Sequence, residues 1–250
     1  MNGISCKEVF SDFLFHVHTF RCKHAGSDKD EDYIKKAIEL GAKGIIFTDH
    51  SPFPGNPFGN RMDIEELPEY IATLSGLKEK YVDKIQVEIG LEVEYLPSFS
   101  EFYYELSEIK ELEWLILGQH MYEHSSGIYS FSDLKEYRYE NEHIKICEAE
   151  IEGMKTGLFK TLAHPDRAFR RRKIWDEGMA DISRAVIETA CETGTILEKN
   201  VSSQKREHQY WKEFWELAEK VSEEKGGTFW IRGLDAHSVE ELESLNNMEV

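Results

Sequence analysis

The chain has 250 residues, 40% hydrophobic and 12% aromatic, which is ample apolar material for a buried core. Its formal charge of -18, from 48 acidic against 30 basic side chains, repels polyanions and anionic surfaces at long range, so neither nucleic acid nor membrane is expected as a partner. No run approaches ~18 apolar residues and no basic segment leads into an apolar one at the start of the chain, so no membrane span or secretory leader is expected. Four scattered cysteines (Cys6, Cys22, Cys147, Cys191) form no C-x-x-C pair and fit a reducing, cytoplasmic setting. Without a Pro/Gly/Ser-rich linker or a short repeat, residues 1–250 are expected to form one domain.

A first strand is predicted over Phe13–His18, with His24 in the loop beyond it. Ser27 and Asp28 are capping types ahead of a helix carrying Tyr33, Ile34, Ala37 and Ile38 at helical spacing, closed by Gly41. Strand two, Lys43–Thr48, ends in Asp49-His50, and the breaker-rich segment Ser51–Arg61 follows as a loop. A helix near Ile64–Val82 leads to strand three, Ile85–Leu91, which ends in Glu92 and Glu94. A helix near Glu101–Glu111 precedes strand four, Trp114–Leu117, followed by Gly118-Gln119-His120. Ser132–Lys155 reads as a long amphipathic helix, and strand five, Leu158–Leu162, ends in Ala163-His164-Pro165-Asp166. A helix near Ala180–Glu192 brings in strand six, Thr195–Glu198, and a helix from about Glu207 to Glu224 brings in strand seven, Thr228–Ile231. Gly233-Leu234-Asp235-Ala236-His237 follows, and Ser238-x-x-Glu241 is a capping-box pattern opening a last short helix.

Strands alternating with helices imply a parallel sheet. An open doubly wound sheet places its site at one crevice, whereas here candidate ligands follow strands one, two, three, four, five and seven, all at C-terminal ends. Only a closed barrel brings six strand ends to one point, so a distorted (β/α)7 TIM-like barrel is expected, with a metal site on that face. The converging set is His16, His18, His24, His50, Glu92, His120, His164, Asp235 and His237. Imidazole and carboxylate suit zinc, iron and manganese, and a carboxylate can bridge two ions. Nine ligands exceed what one ion of four to six coordination can use, so two or three divalent ions are implied. Such clusters bind phosphoryl oxygens and generate a nucleophile from water near pH 7.

A single His beyond a strand is usually a polar loop residue; the recurrence at six strand ends is what points to metal. Asp49 is expected to be structural, and Glu94 to share the strand face of Glu92. Cys22 is read as a small buried thiol beside the site. His124 in a polar loop, with His143 and His208 on helices, are expected to be solvated. The run Arg170–Lys173 fits a solvated surface patch at least as well as a phosphate site.

H-x-H (His16, His18), C-x-H-A (Cys22 to Ala25), T-D-H (Thr48 to His50), G-L-E-x-E-Y (Gly90 to Tyr95), G-x-H (Gly118 to His120), A-H-P-D (Ala163 to Asp166) and G-x-D-A-H (Gly233 to His237) resemble, in this order, the polymerase-and-histidinol-phosphatase (PHP) metallohydrolases. The stretch from Arg61-Met62-Asp63 to the Glu92 motif is similar to the stand-alone histidinol phosphatases. The resemblance implies a distorted (β/α)7 barrel with a trinuclear cluster. One ion would use His16, His18, Glu92 and Asp235, with Glu92 bridging to a second held by His120 and His164, and a third would take His24, His50 and His237. It also implies hydrolysis of L-histidinol phosphate to L-histidinol and phosphate, a step of histidine biosynthesis, by a hydroxide bridging the metals. Glu92 and Asp235 are then the catalytic carboxylates. For the phosphate, Arg167 directly after A-H-P-D is the first choice, with Arg206, Arg61 and the Tyr122 hydroxyl as further candidates. Asn200-Val201-Ser202-Ser203 departs from the Asn-Thr-Ser/Ala-Gly pattern usual after strand six, which leaves the leaving group open.

Two other readings stand beside this one. The chain could be a PHP phosphoesterase for another small monoester, a nucleotide or phosphotyrosine, or a metal-binding protein without turnover. An amidohydrolase-like barrel also begins with H-x-H but would usually carry a bridging lysine where Glu92 stands here.

Overall fold

In a computed structural model of the chain, which describes residues 7–125, 128–131 and 141–248, seven parallel strands close on themselves. The strands are β1 (Lys7–Val9), β2 (Phe13–Val17), β3 (Gly44–His50), β4 (Gln86–Val93), β5 (Trp114–Leu117), β6 (Met121–Ser125), β7 (Ile128–Phe131), β8 (Thr161–Leu162), β9 (Ile196–Asn200) and β10 (Phe229–Ala236). The barrel runs β2-β3-β4-β5-β8-β9-β10, and β10 closes it by pairing with both β9 and β2. The helices are α1 (Asp30–Glu39), α2 (Leu67–Tyr81), α3 (Ser100–Ser107), α4 (Glu142–Lys155), α5 (Glu177–Thr193), α6 (Val201–Gln204), α7 (Lys212–Lys225) and α8 (Val239–Asn246). Among the described residues no helix is long and apolar enough to cross a membrane.

Strand alternation sorts the apolar residues into two cores. Phe15, Ile46, Trp114, Ile116, Ala163 and Ile231 face one another as a plug inside the barrel. Their chain neighbours, such as Leu14, Ile45, Phe47, Leu115 and Leu117, face outward and join the helices in the larger core. The plug fills the barrel below the C-terminal strand ends, so polar side chains at those ends meet above a dry floor.

The differences from the sequence expectations are added strands and shifted element ends, where packing rather than periodicity decides. β1 adds a strand beside β10. β6 and β7 form an antiparallel hairpin where a polar loop was expected, so His124 sits half-buried on a strand with its ring 4.8 Å from that of Tyr122. His143 is 8% exposed rather than solvated, because the first turn of α4 lays its ring 5.9 Å from Phe169. His208 lies in a turn with φ 62° and stacks on Trp211, since α7 begins only at Lys212. The expected helix from Ser132 is described only from Glu142, and positions 132–140 lie outside the described residues. Lys29 occupies the N-cap position of α1 without a side-chain cap, and Asp28 instead accepts from Val239 N, tying the start of α8 to the loop before α1. β10 runs on through Asp235, so that residue is part of the barrel wall. Ser238 does cap α8, accepting from Glu241 N, while the Glu241 carboxylate reaches back one residue further, to His237 N.

Candidate active site

The site is built around one carboxylate. Glu92, at the end of β4, is 1% exposed, and five imidazoles from other strand ends surround it. Its Oε2 lies 3.0 Å from His50 Nδ1, 3.4 Å from His16 Nε2 and 3.5 Å from His18 Nε2. Its Oε1 lies 2.9 Å from His164 Nε2 and 3.7 Å from His120 Nε2. Gly118 makes this crowding possible: a Cβ there would stand 2.0 Å from Glu92 Oε1.

His16 and His18 leave β2 through an irregularity. Regular alternation would put Phe15 and His16 on opposite faces. The register against β3 shifts between Phe15 and Val17, and His16 takes φ 65°, so Phe15 stays in the plug while His16 also turns inward. His164 (φ 33°) and Asp235 (φ 55°) are likewise left-handed. At these three candidate ligands the left-handed backbone, costing on the order of 1–3 kcal/mol each, is bent to aim the side chains. Asp235 Oδ1 lies 3.4 Å from His18 Nε2 and 3.9 Å from His16 Nε2. Above them His237 stacks on His18 with ring centroids 4.3 Å apart, and His24 lies 4.7 Å from His237 and 5.2 Å from His50.

All nine candidate ligands therefore meet on one face of the barrel. Donor atoms within 4.8 Å of one another form the sets His16–His18–Asp235, His18–His50–Glu92, His16–Glu92–His164 and His24–His50–His237. Cys22 joins His18 and His237 in a further set, and burial pushes its thiol up to about 12. His16 Nε2, His18 Nε2, His50 Nδ1, Glu92 Oε2 and His237 Nε2 are buried with no hydrogen bond, an arrangement that costs about 1–3 kcal/mol per atom unless a cation meets them. The donor set thus fits divalent metal.

The electrostatics agree. Burial works against the charge on Glu92, but His16, His50 and His120 hold it well below the usual carboxylate range. Asp235 is held low in the same way, with Arg167 the main opponent of burial. Burial, aided by neighbouring cationic groups, pushes His50 and His164 down to about 4, which leaves neutral rings with lone pairs to donate. His18 and His24 are lowered by burial and then by His237.

Beside this cluster lies a cavity of about 360 Å³ whose lining includes Arg61, Arg167, Arg170, Arg206, Ser202 and Glu241. Arg167 is clamped: its Nη2 donates to Asp235 Oδ2 at 2.6 Å, Ser203 Oγ at 2.9 Å and Asn200 Oδ1 at 3.2 Å. The unusual Ser203 therefore has a role, since α6 carries it onto Arg167. Arg61 faces the cavity but is held by Glu94, at 2.8 and 3.0 Å. Glu94 also lies 3.2 Å from His120 Nδ1, and Arg61 and His120 bring its carboxyl down to about 2 against burial. Arg206 is exposed at the rim, and Tyr122 is buried against His124. Arg170, which the sequence grouped with a surface patch, lines the cavity, while Arg171–Lys173 line a separate surface concavity. Asp49 holds the turn after β2, accepting from Thr19 N at 2.8 Å and Thr19 Oγ1 at 3.1 Å.

Sequence reasoning missed Glu198. It is wholly buried on β9, and its Oε1 lies 2.6 Å from His16 Nδ1. The signal in the sequence is an acid that ends an apolar strand, Thr195–Glu198. Asn200 and Ser203 were likewise not legible as partners of an arginine distant in sequence.

The chain is similar to known proteins. A "Probable histidinol-phosphatase" of Deinococcus radiodurans is 30% identical over 161 residues, covering 60% of this chain and 59% of that protein. The chain thus aligns with rather more than half the length of that relative. The solved structure of a candidate histidinol phosphatase from Listeria monocytogenes superposes with a TM-score of 0.76 at 19% identity, covering 92% of this chain and 96% of that one. A Lactococcus lactis histidinol phosphate phosphatase, solved with Zn, L-histidinol and phosphate, superposes with a TM-score of 0.69 at 18% identity, covering 95% and 94%. These two likenesses establish the (β/α)7 barrel fold. The model of the PHP domain matches residues 15–224, most of the barrel and every candidate ligand but Asp235 and His237, and the chain belongs to the PHP domain family.

Proposed function

We propose that this protein is a metal-dependent phosphomonoesterase that hydrolyses L-histidinol phosphate to L-histidinol and phosphate. The observation that carries the reading is the convergence of imidazoles from other strand ends on Glu92, directly beside a cavity lined by four arginines. The substrate is suggested by the L-histidinol and phosphate held by the Lactococcus lactis relative and by the name of the Deinococcus radiodurans one.

His16, His18, Glu92 and Asp235 would hold one ion, Glu92, His120 and His164 a second, and His24, His50 and His237 a third, with zinc, manganese or iron all compatible. Bound there, such ions supply Lewis acidity toward phosphoryl oxygens and an activated water at neutral pH. The chain's own groups do the positioning. Arg167, fixed by Asp235, Asn200 and Ser203, holds a pre-oriented guanidinium charge beside a phosphoryl group. Arg206, exposed at the cavity rim, attracts the anion. The plug below the ligands keeps bulk water out of the barrel.

The test is phosphate release from L-histidinol phosphate with added zinc or manganese, beside p-nitrophenyl phosphate and a chelator-treated control. The expected kcat/KM is within roughly 10⁴–10⁸ M⁻¹s⁻¹ for histidinol phosphate, far above the generic ester and lost without metal. Equal slow rates on both esters would leave a phosphoesterase for another monoester. No release from metal-loaded protein would overturn catalysis altogether.

A further inference from the structure

The metal-ligand rings need holding as well as aiming, and the structure shows one group in a position to do it. Glu198 Oε1 accepts from His16 Nδ1 at 2.6 Å. Its Oε2 accepts from His164 N at 2.8 Å and from Asn200 Nδ2 at 3.2 Å. Both histidines it grips are left-handed, at φ 65° and 33°. Strained backbone persists only where its surroundings over-determine it, and this carboxylate ties the two strained residues to each other and to β9.

We propose that Glu198 is the positioning residue of the metal centre, fixing the tautomer and ring orientation of His16 and the backbone of His164. The inference rests on the reading of His16 as a metal ligand.

With Nδ1 donating to Glu198, the Nε2 of His16 is the nitrogen that faces Glu92 Oε2 and Asp235 Oδ1, 3.4 and 3.9 Å away, and is the one that would give its lone pair to a cation held there. A ligating imidazole is ordinarily oriented in this manner by an acceptor on its other nitrogen, which also raises its basicity. A purely structural ion pair would be the bland alternative. Against it stands the location: a carboxylate with no exposed surface is costly to bury for structure alone. The neighbouring strand also gives way to it, since a Cβ on Gly233 would stand 1.6 Å from Glu198 Oε1.

Two measurements decide the matter. Zinc affinity is measured for metal-stripped wild type and Glu198→Gln by competition with a chromophoric chelator, at a temperature where the circular dichroism of the two metal-free proteins matches. Gln keeps the shape but cannot serve both partners as a charged acceptor, and a loss of 10–100-fold is expected. Should the variant not fold, the wild type answers alone: ¹⁵N-histidine NMR of the zinc-loaded protein, with the resonance assigned by its loss in His16→Gln, is expected to show His16 protonated on Nδ1 and bare on Nε2. Unchanged zinc affinity in Glu198→Gln, or His16 protonated on Nε2, would overturn the proposal while leaving the metal centre standing. A wild type that takes up no zinc would overturn both.

Discussion

Arg167 and Asp235 lie 2.6 Å apart, a buried guanidinium donating to a carboxylate that also faces His16 and His18. On the proposed reading, the pair would join anion recognition and metal ligation in one contact. Each charge depends on the other: burial works against the charge on both, and their mutual attraction keeps Arg167 protonated and Asp235 ionised.

Arg167→Ala is therefore expected to lower kcat/KM on the phosphomonoester by roughly 10²–10³. Arg167→Lys should not restore it, because an ammonium cannot reproduce the planar fork that meets Asn200, Ser203 and Asp235 together. Arg206→Ala, at the exposed rim, should raise KM and leave kcat nearly unchanged. Steady-state kinetics of the three variants check this. Full activity in Arg167→Lys would remove Arg167 from phosphate recognition.

Metal removal has a stability signature independent of turnover. Six buried nitrogen and oxygen atoms of the candidate-ligand side chains lack hydrogen bonds, so binding should favour the folded state strongly. At free zinc about 100 times Kd the gain is about 2.7 kcal/mol. For a chain of this size that corresponds to a rise in Tm of roughly 5–10 °C. Differential scanning calorimetry with zinc and with excess chelator measures it, and coincident transitions would speak against a metal centre.

Gly118→Ala tests the close approach at Glu92. The added Cβ would stand 2.0 Å from Oε1 and 2.4 Å from Cγ, so the carboxylate must swing out of the cluster. Metal content and activity are expected to fall together, while Gly157→Ala, which meets nothing within 4 Å but sits at φ 72°, should cost only stability. Inductively coupled plasma analysis beside the activity assay separates the two. Wild-type metal content in Gly118→Ala would show that Glu92 is free to move.

Glu150, on α4, gives a pH dependence remote from the ligands. Its carboxyl is 2% exposed, and burial, with repulsion from Asp166, raises it well above the ordinary range. Below the unfolded value of about 4.3 the group is neutral in both states and contributes nothing. Above it the unfolded chain ionises while the folded chain keeps its proton, so stability falls as pH rises toward the folded value. Glu150→Gln cannot ionise. Its Tm should exceed the wild-type Tm at pH 8, and the gap should close near pH 4. A gap that stays constant with pH would place the effect in packing instead.

The barrel was legible because its signals are local. Apolar runs of strand length, each followed by a polar strand end and a helix, set the element order without reference to contacts. The convergence of the candidate ligands was legible for the same reason: His50 and Glu92 lie at the ends of their strands and His120 and His164 follow theirs, so one topological argument brought them together. The hairpin β6–β7, the buried His143 and the short β8 were not, because pairing and packing with distant segments decide them.

The roles of the acids divide along the same line. That Glu92 stands at a strand end facing the mouth follows from chain order alone. That Glu198 grips His16, that Arg61 is held by Glu94, and that Ser203 seats Arg167 are matters of ångströms between residues up to 182 positions apart. Sequence by itself determined the barrel and the meeting of imidazoles and carboxylates at its mouth, through period and position. Only the tertiary structure decided which donor faces which acceptor, because hydrogen bonds and left-handed backbone turns are specified by the closed barrel and not by any one of its strands.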